Sequence, residues 1–283
     1  MKLFRLTILV LLFLSFFGFP SHTQPQHAVN WKNVRVLVYT KNGKGYVHDN
    51  ISSAVSCIQR LGTQYGFKVD TSANSVVMNE DNLKRYTLLI FPSTNNDVFD
   101  NDRQRLAFRR YIEAGGGFVG IHSVTGTERN WKWFKMMLGG TFAYHPKFQK
   151  FRVKVINSAH PSMRGMPAVW EKEDECYFEK ELYPGPQVLM AHDLTSLDTS
   201  DSTQRNNIIK NTGTFGDLYP AVWSYHYDGG HTWCTVLGHD KKDYSNPLYT
   251  RHLLQGIEYI ASQVKKVDFK KAYADSRDTP VRF

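Results

Sequence analysis

The feature that most constrains this chain is a recurring pair of patterns. Short β-branched apolar runs alternate with stretches of helical period, and glycine-bearing or polar loops stand between them. Residues 34–39 (VRVLVY), 88–91 (LLIF) and 118–122 (FVGIH) are continuous and apolar, as strands buried on both faces are. Residues 67–70 form a shorter strand before the second of these runs. Between them Ile51, Ala54, Val55, Ile58 and Leu61 recur at helical spacing, with Asn50 as a cap and Gly66 as the stop. A second helix runs from the caps Asp100 and Asn101 to Glu113, ended by Gly115 to Gly117. This rhythm predicts an open, mostly parallel α/β sheet with helices on both faces.

The second half reads differently. Residues 151–156 (FRVKVI) alternate apolar and basic, the pattern of an edge or half-exposed strand, and 187–191 add another strand. Residues 221–227 and 231–237 form a β-hairpin around Asp228-Gly229-Gly230. Asn246 and Pro247 open a last helix to about Ser262. Residues 196–217 read as a polar insertion, and the basic tail from Lys265 wraps the surface or frays. There is no internal repeat. The expected organisation is a leader over 1–23, one elaborated domain over 34–262 and a tail over 263–283.

Ligands of such sheets sit beyond the carboxyl ends of the strands. Those ends carry His48 after the first strand, Ser93 to Asp97 after the third, His122 after the fourth and His239 after the hairpin. His145 and His160 each precede a proline at a turn. His192, His226, His231 and His252 read as ordinary strand or surface residues. Asp174-Glu175-Cys176-Tyr177 is an acidic run whose carboxylates suit a general acid/base or a metal ligand. Gly115 to Gly117 precede a strand, so they form no dinucleotide fingerprint, and no nucleotide is expected. No GxSxG elbow occurs, although His122 stands where an elbow nucleophile would.

Met1 to Arg5 is a short basic start, and an apolar stretch follows to Phe19. That order is a secretory signal, too short for a span of about 20 apolar residues. The expected destination is the periplasm or the exterior, with cleavage between Gly18 and Gln24. Without Lys2 and Arg5 the formal charge falls from +9 to +7. No basic stripe with interleaved aromatics lies outside the tail, so nucleic acid is not an expected partner. No other segment is apolar enough to cross a membrane. The three cysteines, Cys57, Cys176 and Cys234, have no CxxC spacing and read as partly buried small residues.

Several pieces, taken in order, resemble the ThuA-like (trehalose utilisation) family. They are Tyr46-Val47-His48-Asp49, the run from Ala114 to Ser123 with its glycines, Gly139-Gly140-Thr141-Phe142, His145-Pro146 and His160-Pro161. Asp174 to Tyr177, Pro220 to Trp223 and Leu237-Gly238-His239-Asp240 complete the set. The resemblance spans residues 34 to 262. It implies a flavodoxin-like fold similar to class I glutamine amidotransferases. His122 stands in place of their cysteine nucleophile, which argues against glutaminase chemistry.

The family implies a carbohydrate-catabolic enzyme whose sugar substrate a partner dehydrogenase has oxidised at the 3-position. A 3-keto group acidifies the C2 proton, so a base can remove it while the glycosidic oxygen leaves. A divalent cation, zinc or manganese, would stabilise the enediolate. The expected catalytic residues are His122, Glu175 and His239. The expected metal ligands are His48, His122 and His145. Asn95, Tyr144, Tyr177 and Trp223 are expected against the sugar. The alternative is a non-catalytic carbohydrate-binding protein on the same scaffold.

Overall fold

The computed structural model describes residues 29–282. The expected leader and its cleavage region lie outside the described residues. Eleven strands and six helices follow in chain order: β1 Arg35–Tyr39, α1 Ile51–Tyr65, β2 Lys68–Ser72, α2 Glu80–Leu83, β3 Leu88–Pro92, α3 Asp102–Glu113, β4 Gly117–Ile121, α4 Lys132–Leu138, β5 Thr141–Tyr144, β6 Gln149–Val155, β7 Val169–Asp174, β8 Phe178–Lys180, β9 Gln187–Asp193, α5 Ser202–Thr212, β10 Leu218–Tyr227, β11 Gly230–Thr235 and α6 Pro247–Gln263.

Nine strands form one sheet in the order β2-β1-β3-β4-β11-β10-β9-β6-β7, and β5 pairs with β8 apart from it. The first five run parallel. Their order is the flavodoxin order, with β11 as the fifth strand. The hairpin read from sequence is therefore a junction. Its second strand completes the parallel half, and its first opens an antiparallel half through β10, β9, β6 and β7. Helices cover both faces of the parallel half. The Phe118 ring packs on Phe108 of α3 and Phe134 of α4 at 5.8 and 6.3 Å. On the other face Trp233 lies against α6. A Cβ on Gly256 there would come within 2.7 Å of the indole.

Local signals account for most boundaries. The Asn101 side chain accepts from the Gln104 amide at the start of α3, and Asn246 accepts from Leu248 and Tyr249 at the start of α6. Gly66 ends α1 at φ 90°. Asn50 departs from expectation. It makes no cap hydrogen bond, and its amide instead donates to the carbonyls of Gly238 and His239. The strand read as edge or half-exposed, β6, is not an edge, because β7 lies beyond it, but its residues alternate between buried and exposed. The polar insertion contains α5. The tail is docked: Glu113 accepts from the amides of Tyr273 and Ala274, and the buried Arg109 donates to the carbonyls of Arg277 and Thr279. All three cysteines are free and buried. No helix among the described residues is long and apolar enough to cross a membrane.

The antiparallel half curls. β7 is four hydrogen-bonded steps from β11, roughly 19 Å in a flat sheet at about 4.8 Å per step. Yet Asp174, at the end of β7, lies 2.8 Å from the amide of Gly238, just beyond β11. Register shifts in the β9–β10 pairing around Pro220 and Val222 fit such a bend. The curl carries Glu175 back to the strand ends of the parallel half.

Candidate metal and active site

Four loops converge at those strand ends. The loop after β1 packs tightly on the loop after β3. Gly43 donates to the Asn95 carbonyl at 2.9 Å, and a Cβ on Gly43 would lie 2.4 Å from the Asp97 nitrogen. This delivers His48. Its Nδ1 is 3.1 Å from the Ser123 hydroxyl, whose own proton goes to the Thr94 carbonyl at 3.2 Å. The Ser123 oxygen therefore accepts from His48 Nδ1, and Nε2 keeps its lone pair.

His122 follows β4 with φ at +54°, the left-handed region where a non-glycine residue is strained. It is the corner of a strand-to-helical-turn elbow, buried completely. Its Nδ1 donates to the Val236 carbonyl at 3.1 Å, which turns the Nε2 lone pair toward His239 Nδ1 and the Tyr177 hydroxyl, each 3.2 Å away.

His239 is held through its backbone. Asp174 accepts from the amides of Gly238 and His239 at 2.8 and 3.1 Å, while Asn50 donates to both carbonyls. Gly238 has φ +107°, and any Cβ there would run into the Tyr249 hydroxyl. Asp174 is itself ion-paired at 3.0 Å with the buried Lys172, which also pairs with Asp243 at 2.6 Å.

Glu175 completes the group. Its Oε2 is 3.1 Å from His239 Nδ1 and 3.6 Å from His122 Nε2. One ligand atom from each of His48, His122, Glu175 and His239 lies within 4.8 Å of the others. Burial pushes the His48 imidazole down to about 3, helped by the neighbouring imidazoles. Burial likewise takes His122 to about 4, against the pull of Asp174 and Glu175. His239 is raised by its hydrogen bond to Glu175. Burial opposes ionisation of Glu175, but the His239 hydrogen bond and the surrounding imidazoles outweigh it and hold the carboxyl low. Uncharged imidazoles around an ionised carboxylate are the donor set a borderline divalent cation takes. Glu175 Oε2 is buried with only the 3.1 Å contact to His239 Nδ1, so it has acceptor capacity left that a cation would satisfy. The residues present fit such an ion.

The residues expected from sequence are distributed unevenly. His48, His122, Glu175 and His239 meet. His145 stands outside the four. It is half-buried, with Nδ1 at 3.6 Å from the other carboxylate oxygen of Glu175 and 2.8 Å from the Pro146 carbonyl. A cleft of about 430 Å³ opens beside the group, and Asn95, Tyr177 and His145 line it. Two expected sugar contacts lie elsewhere. Trp223 is in the core, donating to the Leu138 carbonyl at 2.7 Å, and Tyr144 stacks on Phe178. Both sit on strands, where an aromatic ring packs inward by default. Arg129, unremarked in the sequence, and Phe142, noted only as part of a motif, line the cleft instead, with the guanidinium 5.5 Å from the ring centre. The ion pair beneath His239 was also unforeseen.

Purified protein is expected to take up about one equivalent of zinc or manganese per chain at neutral pH. Ligation requires neutral imidazole, so affinity should fall on acidification. The fall should begin near His239, whose value is raised above 6.5, since His48 and His122 stay neutral to much lower pH. Equilibrium dialysis with elemental analysis checks this, and a protein that binds no metal at neutral pH would remove the ion.

A family model described as ThuA, trehalose utilisation, matches residues 35–260. No curated protein matches the chain. Among solved structures, a ThuA-like protein from Bacteroides uniformis is 21% identical, with TM-score 0.65 over 86% of this chain and 95% of its own. One from Parabacteroides merdae is 19% identical, with TM-score 0.63 over 81% and 90%. A cytoplasmic protein from Salmonella typhimurium is 14% identical, with TM-score 0.55 over 82% and 100%. At these identities the likeness is one of fold.

Proposed function

The chain belongs to the ThuA family of trehalose utilisation, and from that premise we propose that it is an enzyme cleaving 3-keto disaccharides or related glycosides. The observation that carries this reading is the three-histidine, one-carboxylate group at the mouth of an aromatic-lined cleft. His48, His122, His239 and Glu175 would hold the cation. When bound, it supplies Lewis-acid polarisation of the ketone oxygen and the charge that stabilises an enediolate.

The chain's own groups supply the rest. His145 Nδ1 is tied to the Pro146 carbonyl and faces Glu175, so Nε2 keeps a lone pair toward the cleft. An imidazole oriented by a carboxylate is a suitable base for the C2 proton. As that proton passes to His145, the C2–H electron pair becomes the C1=C2 double bond, the C1–O bond breaks with its pair on the glycosidic oxygen, and that oxygen takes the proton back from His145. The products are a 2-hydroxy-3-keto-glucal and a free sugar. Tyr177 is a donor rather than a base, because burial raises its phenol far above the usual value. Asn95 and Arg129 offer polar contacts to sugar hydroxyls.

A partner dehydrogenase would supply the 3-keto substrate. The decisive experiment incubates the protein with a panel of 3-keto disaccharides and follows both products. Formation of the glucal supports elimination, and 3-keto-glucose in its place supports hydrolysis. Binding without turnover makes the chain a carbohydrate-binding protein.

The basic-then-apolar leader supports export to the periplasm or exterior. Mass spectrometry of protein recovered from its native source should find a chain starting between residues 19 and 24. A retained Met1 would rule out cleavage.

A further inference from the structure

Among the described residues, four aromatic side chains are exposed: Tyr46, Tyr65, Phe148 and Phe215. Tyr65 and Phe215 pack on aromatic neighbours of their own, Trp31 and Tyr219. The other two lie on candidate site histidines. Tyr46, 65% exposed, meets His48 edge-on with ring centres 4.8 Å apart. Phe148, 38% exposed, lies 5.6 Å from the ring of His239. They come from separate loops, after β1 and before β6, and the two histidines between them are 5.6 Å apart. The cleft is walled by Phe142 and Tyr177, with Asn95 and Arg129 as polar contacts, and the exposed Tyr46 lines it on the solvent side while Phe148 stands beyond it.

A bond broken at the four-residue group has a fragment on each side of it. One fragment fits the cleft. The other has to lie outward, where Tyr46 and Phe148 bracket the histidines. Water-exposed aromatic faces with no aromatic cover of their own suit the C–H face of a pyranose, which is apolar and slightly positive against the ring quadrupole. We propose that Tyr46 and Phe148 form a stacking platform for the leaving ring of a two-ring glycoside, so that this site selects disaccharides over single-ring glycosides. This rests on the sugar reading above.

The test is calorimetric binding of trehalose and of methyl α-glucoside, which has one ring. It compares wild type, Tyr46→Ala/Phe148→Ala and Tyr46→Phe, each checked for native circular dichroism. Both alanine positions are exposed, so the fold should survive. The double variant is expected to bind trehalose at least tenfold more weakly with methyl α-glucoside unchanged, and Tyr46→Phe to bind like wild type. Unchanged trehalose binding, or an equal loss for both ligands, overturns the platform alone. Wild type that binds neither sugar overturns the platform, whereas the sugar reading itself falls only if the 3-keto disaccharides above are neither bound nor cleaved.

Discussion

His122→Ala is expected to cut turnover of a 3-keto disaccharide by on the order of a hundredfold or more while leaving the protein folded. The imidazole is the centre of the site: its Nε2 faces His239, Tyr177 and Glu175. The structural cost is modest. The change removes the hydrogen bonds to the Val236 carbonyl and from the Tyr177 hydroxyl, each a contribution of about 1 kcal/mol. It leaves the left-handed backbone strain in place. His122→Gly removes the same chemistry and relieves that strain, so it should be as inactive as alanine but more stable. His226→Ala is the control, since that side chain pairs with His231 on the hairpin, away from the site. Turnover measured beside circular dichroism decides the matter. Near-wild-type rates in folded His122→Ala would overturn the proposed chemistry.

The largest stability loss is expected from Asp174→Ala, about 3–5 kcal/mol, the cost of breaking a buried ion pair by removing one partner. The change strands Lys172 in the interior beside Asp243 and removes the acceptor for two backbone amides. Asp174→Asn keeps an acceptor and should lose less. Burial opposes ionisation of Asp174, but Lys172, His122 and the Gly238 amide more than offset it, so its folded value is depressed. The stability it supplies is therefore present above the unfolded carboxylate value of about 3.9 and lost as pH falls through the folded one. The gap between wild type and variant in urea midpoint should narrow in acid. A gap independent of pH would mean that packing, and not charge, sets the loss. The same substitution frees the His239 backbone, so metal affinity should fall even in molecules that remain folded.

The parallel half was legible because its strands are buried on both faces and read as plain apolar runs. The loops after them could be located from strand ends alone, which is how His48, His122 and His239 were singled out. β7 was not legible, for a physical reason. Its buried positions are Trp170, Lys172 and Asp174, and its exposed ones begin with Val169, so apolar alternation points the wrong way. The two charges face inward because they neutralise each other there. With β7 unread, periodicity could not place Glu175; the resemblance sets it beside His122 and His239 as a catalytic residue, with His145 as the metal ligand instead. Trp223 and Tyr144 lie outside the cleft, and an aromatic on a strand carries no mark telling core from cleft. Asn50 looks like a cap by position, yet its amide holds a loop 188 residues away in the chain.

The insertion of β11 between β4 and β10 has a kinetic consequence. β4 and β11 are neighbours in space but separated by the whole antiparallel half in sequence, so their pairing closes a very long loop. Contacts of such high sequence separation form late and slowly. Until then β4 has an open edge. The elbow after it lacks the Val236 carbonyl that orients His122, and His239 is still far away. The pocket for a cation thus cannot exist in a nascent or partly folded chain. Any ion it holds is loaded after the sheet has closed, so refolding in the presence of metal should proceed no faster than without it.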